Sequence, residues 1–123
     1  MPRQVNVSED QRGHRRRLKQ RFDKSGFEGF HVYEVLELLL TYVIPQKNTK
    51  PAAKELIRRF KYLPGIFSAN MNELQEADGI GPEAARFLKL LGAFIAFYSE
   101  QKAIIGDIQF SHLAELVDYF TAT

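Results

Sequence analysis

The sequence contains no cysteine, which excludes a disulfide framework and a thiolate metal site. Tryptophan is absent as well. No apolar run is long enough to span a bilayer: the longest, residues 87–98, is interrupted by Lys89 and Gly92. Residues 1–10 are polar and lack the apolar centre of a signal peptide. Strand-like alternation is missing too, apart from an ambiguous stretch at residues 103–110. These absences lead to the expectation of a soluble, cytoplasmic, all-α protein with no cofactor and no membrane contact. Apolar residues still make up 45% of the 123, sufficient for the core of one modest domain.

The net charge of +2 conceals an asymmetry. Residues 1–24 hold eight basic side chains (Arg3, Arg12, Arg15, Arg16, Arg17, Lys19, Arg21, Lys24) against three acidic ones (Glu9, Asp10, Asp23), a local charge of +5. Residues 25–123 hold nine basic and twelve acidic groups, a charge of −3. A basic start on a mildly acidic chain points to a polyanionic partner. The plainer alternative is a solvated helix face.

Apolar spacing predicts a succession of helices. Residues 1–11 read as a flexible lead-in. Residues 12–24 form the first helix, with Leu18 and Phe22 on one face and Ser25-Gly26 ending it. Residues 31–44 carry Val32, Val35, Leu36, Leu38, Leu39, Leu40 and Val43 on nearly all sides, so this helix is expected to be central and buried, with Pro45 stopping it. After the polar loop 46–48, Asn48 or Thr49 caps a third helix reaching Lys61. A short helical turn follows at 64–68. Asn70 or Asn72 then caps a helix ending near Ala77, and a long helix runs from Glu83 to about Lys102. Residues 103–109 read as a linker, and Ser111 as the cap of a last helix over 113–120. The helical domain is thus expected to span residues 12–102, with 103–123 beyond it.

Between the last two core helices lies Asp78-Gly79-Ile80-Gly81-Pro82. Glycine reaches positive φ without a steric penalty, and Pro82 has its φ preset for a helix start. The stretch reads as a tight hairpin whose amides converge at the positive end of a helix dipole, a seat for one phosphate. Asp78 and Glu83 work against this. A carboxylate beside a phosphate is repulsive, and Glu83 could fill the seat from within.

Ala52-Ala53-Lys54-Glu55-Leu56-Ile57 matches Ala84-Ala85-Arg86-Phe87-Leu88-Lys89 at an offset of 32 residues, each copy following a breaker-rich turn. This suggests two packed helix-hairpin-helix units, with Leu39 matching Leu74. The spacing Leu74-x-x-Ala77-Asp78-Gly79-Ile80-Gly81-x-x-Ala84-Ala85-x-x-Leu88 resembles the helix-hairpin-helix DNA-binding motif, and Phe60-x-x-Leu63-x-Gly65-Ile66-Phe67 resembles its tandem form. Gly13-His14-Arg15-x-Arg17-Leu18-x-x-Arg21-Phe22 and Tyr33-Glu34-x-Leu36-Glu37-Leu38-Leu39-Leu40-x-Tyr42-x-Ile44-Pro45 resemble the bacterial RadC family (DNA repair protein RadC, also labelled UPF0758). Thr49-Lys50-Pro51-x-Ala53 and Arg59-Phe60 extend that likeness, which covers about residues 13–100. The resemblance implies a tandem helix-hairpin-helix fold and an association with DNA repair. Asn48 stands where the family usually has an acidic residue. Full-length members continue into a JAB/MPN domain with a zinc constellation of Glu, His-x-His and Asp. This chain has only His14, His31 and His112, and no His-x-His, so it is expected to be an N-terminal part.

The expected DNA contacts are Gly79, Ile80 and Gly81 at the hairpin, with Arg86 and Lys89 adding attraction one and two turns into the helix. Arg12, Arg15, Arg16 and Lys19 are expected to supply most of the charge from the first helix. Lys47 and Lys50 flank the first hairpin, where Lys50 offers a second phosphate contact. Phosphate contacts position a protein without reading sequence, so the expected function is sequence-independent DNA binding. The alternative is an adaptor whose hairpin is structural and which docks a JAB/MPN domain or another partner protein through Phe97, Tyr98 and the helix over 113–120. An enzyme is not expected. His31 and Glu34 share a helix face, but Glu37 lies about 240° around from His31, so one straight helix cannot present all three to a metal. Glu34 or Glu37 is expected to pair with Arg17, Arg21 or Arg59 across the bundle instead.

Overall fold

Two alanine pairs at equivalent places in their helices organise the core. Ala52 and Ala84 are each the third residue of a helix, and Ala52, Ala53, Ala84 and Ala85 are all buried. In the computed structural model, which describes residues 2–45, 48–111, 117 and 121, the chain folds into α1 (Pro2–Ser25), α2 (Val32–Thr41), α3 (Lys50–Phe60), α4 (Leu63–Ser68), α5 (Met71–Gln75) and α6 (Pro82–Ser111). Among the described residues there is no strand, and the all-α expectation holds. Residues up to Lys89 form one compact unit and those from Leu90 a second, so α6 contributes to both.

The core lies in the first unit. Leu36 and Leu40 of α2, Leu56 of α3, Ile66 of α4, Leu74 of α5 and Leu88 of α6 are fully buried, with Ala69, Ala77 and Ile80 filling between them. Burying each such large side chain stabilises by about 1.5–3 kcal/mol. The internal repeat is visible in this packing. α3 and α6 start 32 positions apart, as the alanine pairs do, and Leu56 and Leu88 occupy matching buried positions. By burial Leu40, rather than the expected Leu39, is the counterpart of Leu74, since Leu39 is only half-buried.

Several boundaries differ from the expectations. Helical backbone begins at Pro2, ahead of Arg12. α2 stops at Thr41, before Pro45. Its last amides tighten into three-residue steps, Tyr42 N–H to Leu39 O at 3.2 Å and Val43 N–H to Leu40 O at 3.1 Å, and the chain turns there. α6 runs through 103–109, where a linker was expected: Ala103, Ile104 and Ile105 continue the helix, and it tolerates Gly106 at a cost of about 1 kcal/mol. Asn70 caps α5 as expected, accepting the Glu73 N–H at 2.8 Å while Glu73 accepts the Asn70 N–H at 3.1 Å. Apart from Val117, the expected helix over 113–120 lies outside the described residues, as do the loop residues Gln46 and Lys47.

In the second unit, Leu90, Phe94, Ile95, Phe97, Tyr98, Ile104 and Ile105 are exposed, and they fall within about 180° of the circumference of α6. Phe94 and Tyr98 stack at 6.4 Å between ring centroids. Among the described residues, no helix is long and apolar enough to cross a membrane.

Candidate nucleic-acid interface

The hairpin between α5 and α6 is a four-residue turn. Ile80 N–H donates to Ala77 O at 3.1 Å, and Gly79, third in the turn, has φ +88°. A positive φ at that place is the signature of a type II turn and selects glycine. Space requires it as well, since a Cβ on Gly79 would lie 3.1 Å from the Ala52 Cβ. The turn therefore sits directly on the first turn of α3.

Gly81 is different. Its φ lies outside the positive region, and a Cβ built on it meets nothing within 4 Å. Its carbonyl accepts the Ala85 N–H at 2.9 Å, so Gly81 is the residue that starts α6, and it has no side chain with which to cap the first-turn amides. Among the described residues, neither the Gly79 nor the Gly81 N–H donates a hydrogen bond within the protein. Both glycines are exposed. Glu83 does not fill the seat, because its carboxylate is taken by Arg86 on the next turn.

Ile80 contributes to the fold rather than to the exposed surface. Its side chain is 3% exposed and its N–H closes the turn. Arg86 is exposed but paired with Glu83, and Lys89 is half-buried on α6. At the first hairpin the corresponding amide is already satisfied: the Asn48 side chain accepts the Lys50 N–H at 3.1 Å. Thr49 is not a side-chain cap, because its hydroxyl donates to Glu37 O at 3.2 Å. The Lys50 ammonium lies 5.7 Å from the Tyr33 ring centroid, and Lys54 lies 4.8 Å from it. The two hairpins border one groove, lined by Val43, Ile44, Pro45, Gly79, Gly81 and Pro82 among others.

The basic helix meets this region through Arg15. Its guanidinium donates to Thr41 O at 3.1 Å and to Ile44 O at 2.5 Å, satisfying carbonyls left over at the end of α2. Burial pulls the Arg15 pKa down from its ordinary value, as expected for a cation partly withdrawn from water. Arg15 thus anchors α1, and Arg12, Arg16 and Lys19 remain exposed beside it. Lys19 sits 4.9 Å from the ring centroid of Tyr42, a residue that is 68% exposed. Over 83 residues the chain is 52% identical to a UPF0758 protein of Fusobacterium nucleatum subsp. nucleatum. The match covers 68% of this chain and 36% of the relative, so the chain spans about a third of the length of that curated protein. No family model and no solved structure matches the chain.

Two acidic residues of α2 also hold α1. Glu34 accepts from Arg21 at 2.8 Å and from the His31 N–H at 2.9 Å, which makes it a helix-start residue rather than a metal ligand. The Arg21 hydrogen bond holds the Glu34 carboxyl below its ordinary range, against the opposing effect of partial burial. Glu37 is fully buried; one oxygen takes His14 Nε2 at 2.8 Å, and the other has no hydrogen-bond partner. Its partner is thus a histidine, while the expected pairing with an arginine is the one Glu34 makes with Arg21. Arg59 binds Glu55 at 3.0 Å and Glu76 at 3.4 Å. Among the described residues, no group of three or more His, Asp or Glu side chains could hold a metal. Tyr42, and His14 as the partner of Glu37, are what sequence reasoning misses. The available signal for the pair is Glu37 itself, a carboxylate set among Leu36, Leu38, Leu39 and Leu40.

Proposed function

We propose that this chain binds DNA through the phosphate backbone, without reading base sequence, in the service of DNA repair. Gly81 carries the reading. Neither backbone conformation nor packing demands a glycine there, yet the residue is exposed, its N–H is unused and it opens a helix. A glycine that the fold does not need is what close approach of a ligand to the backbone would require. The first-turn amides of α6 and the helix dipole suit a phosphate oxygen. Arg12, Arg16 and Lys19 add long-range attraction, and Gly79 holds the turn in shape. The likeness of the hairpin to the helix-hairpin-helix motif, and of residues 13–100 to the RadC family, supports both the ligand and the repair role.

The test is fluorescence anisotropy of labelled DNA against the chain and against Gly81→Asp, which places a negative charge at the phosphate seat. The reading predicts salt-dependent binding by the wild type and a loss of about tenfold or more in a folded Gly81→Asp. Unchanged affinity would remove the hairpin from the site.

A second reading is favoured by the exposed apolar stripe of α6: the second unit docks a protein surface through Phe94, Phe97 and Tyr98. In a longer protein, a following JAB/MPN domain is the natural occupant. Light scattering of the chain and of Phe97→Asp tests the simplest competing occupant, a second copy. A concentration-dependent dimer abolished by the substitution would assign the stripe to self-association instead.

A further inference from the structure

We propose that Tyr42 is a stacking platform for an unpaired base, so that the interface takes single-stranded segments of DNA in preference to closed duplex. The inference rests on the DNA-binding reading and adds the class of substrate.

Tyr42 is the residue at which α2 ends, with φ −84° and ψ −10°. The residue is 68% exposed. Its backbone is held firmly: Tyr42 N–H donates to Leu39 O at 3.2 Å, and Arg15 binds the carbonyls of Thr41 before it and Ile44 after it. Such anchoring fixes the backbone that carries the ring, so little main-chain freedom is left to lose on binding. The residues around it are those that a nucleotide would use. Lys19 lies 4.9 Å from the ring centroid, Arg12 and Arg16 are exposed on the same helix, and the next three residues, Val43, Ile44 and Pro45, line the groove that also contains Gly79 and Gly81. An exposed aromatic set among cations that track a phosphate backbone is the arrangement by which proteins hold single strands. In a closed duplex both faces of each base are covered by its neighbours, so Tyr42 has a partner only where a base is unpaired. Phosphates on either side of that base would fall to the exposed cations of α1 and to the open amides at Gly81.

Tyr62 supplies an internal control, since it is 73% exposed but lies on a different turn, between α3 and α4. The experiment measures anisotropy of single-stranded, gapped and fully paired labelled oligonucleotides of equal length at low salt. The proteins are the wild type, Tyr42→Ala, Tyr42→Phe and Tyr62→Ala, each checked for fold by circular dichroism. The expected result is a loss on the order of ten- to hundredfold for Tyr42→Ala on single-stranded and gapped DNA, with duplex affinity changed less than about twofold. Tyr42→Phe and Tyr62→Ala should bind like the wild type. A strand of abasic sites, with all its phosphates and no bases, should be bound by wild type and Tyr42→Ala alike. Equal losses on single-stranded and duplex DNA, or no loss for a folded Tyr42→Ala while the wild type binds, would overturn the stacking inference alone. Failure of the wild type to bind any of the DNAs at low salt would overturn the DNA-binding reading with it.

Discussion

Replacing Gly79 with alanine and replacing Gly81 with alanine are the same chemical change two positions apart, and the structure gives them opposite consequences. At Gly79 the new Cβ must adopt φ +88°, which costs a non-glycine residue about 1–2 kcal/mol. It also approaches the Ala52 Cβ at 3.1 Å, so the hairpin must lift from α3 by a few tenths of an ångström. Together these come to about 1–3 kcal/mol, or a fall in Tm of roughly 5–15 °C for a unit of this size. At Gly81 there is neither strain nor collision. Alanine starts a helix less well than glycine, but it also restricts the unfolded chain, and the two effects offset to within about 1 kcal/mol. The new methyl group would instead stand over the unused amides. Gly81→Ala should therefore melt like the wild type and bind DNA about tenfold more weakly, whereas Gly79→Ala should melt early. Thermal melts followed at 222 nm and anisotropy titrations on the same samples measure both quantities. A Gly81→Ala protein that loses more stability than Gly79→Ala, or that binds undiminished, would refute the division of labour between the two glycines.

Other predictions concern the attachment of α1. Arg15→Met should destabilise by about 1–3 kcal/mol in urea melts, because two carbonyls at the end of α2 lose their donor, while the neighbouring Arg16→Ala should stay within about 0.5 kcal/mol and weaken DNA binding instead. His14→Ala should cost about 1–3 kcal/mol by leaving the buried Glu37 carboxylate without its partner, and Glu37→Leu in the same background should recover much of the loss. The Glu34 carboxyl is held low in the folded state, so its stabilisation is present above the ordinary carboxylate pKa of 4.5 and is lost as pH falls below it. Melts of wild type and Glu34→Gln should accordingly differ most near neutral pH and converge in acid; a difference that grows in acid would contradict the Arg21–Glu34 assignment.

The helices and most of the core were legible because they are local. The spacing of Leu36, Leu40, Ala52, Ala53, Leu56, Ala84, Ala85 and Leu88 encodes which faces turn inward, and Gly79 announces its turn without reference to anything distant. The 32-residue repeat likewise survived as two equivalent helix starts. The roles of the charged residues were not legible. In sequence Arg15 is indistinguishable from the free cations beside it, because its partners, the carbonyls of Thr41 and Ile44, are backbone groups more than twenty residues away and leave no trace in composition. His14 and Glu37 are separated by a similar distance. Gly-x-Gly looked like two glycines with one reason, and only geometry separates a glycine that the turn demands from one that the fold could do without. The expected linker at residues 103–109 failed because a single glycine is a weak breaker inside a long helix.

The central claim is that this chain holds DNA by its phosphates, through the hairpin of α6 and the exposed cations of α1. The salt dependence of binding tests it most directly. Phosphate contacts by three of the exposed cations of α1, Arg12, Arg16 and Lys19, predict that log K falls against log salt with a slope of about −3 on duplex and about −2 on single strands, and that removing any one of them by alanine reduces the slope by about one or slightly less. Binding that is absent at low salt, or that proceeds with no slope, would contradict the account.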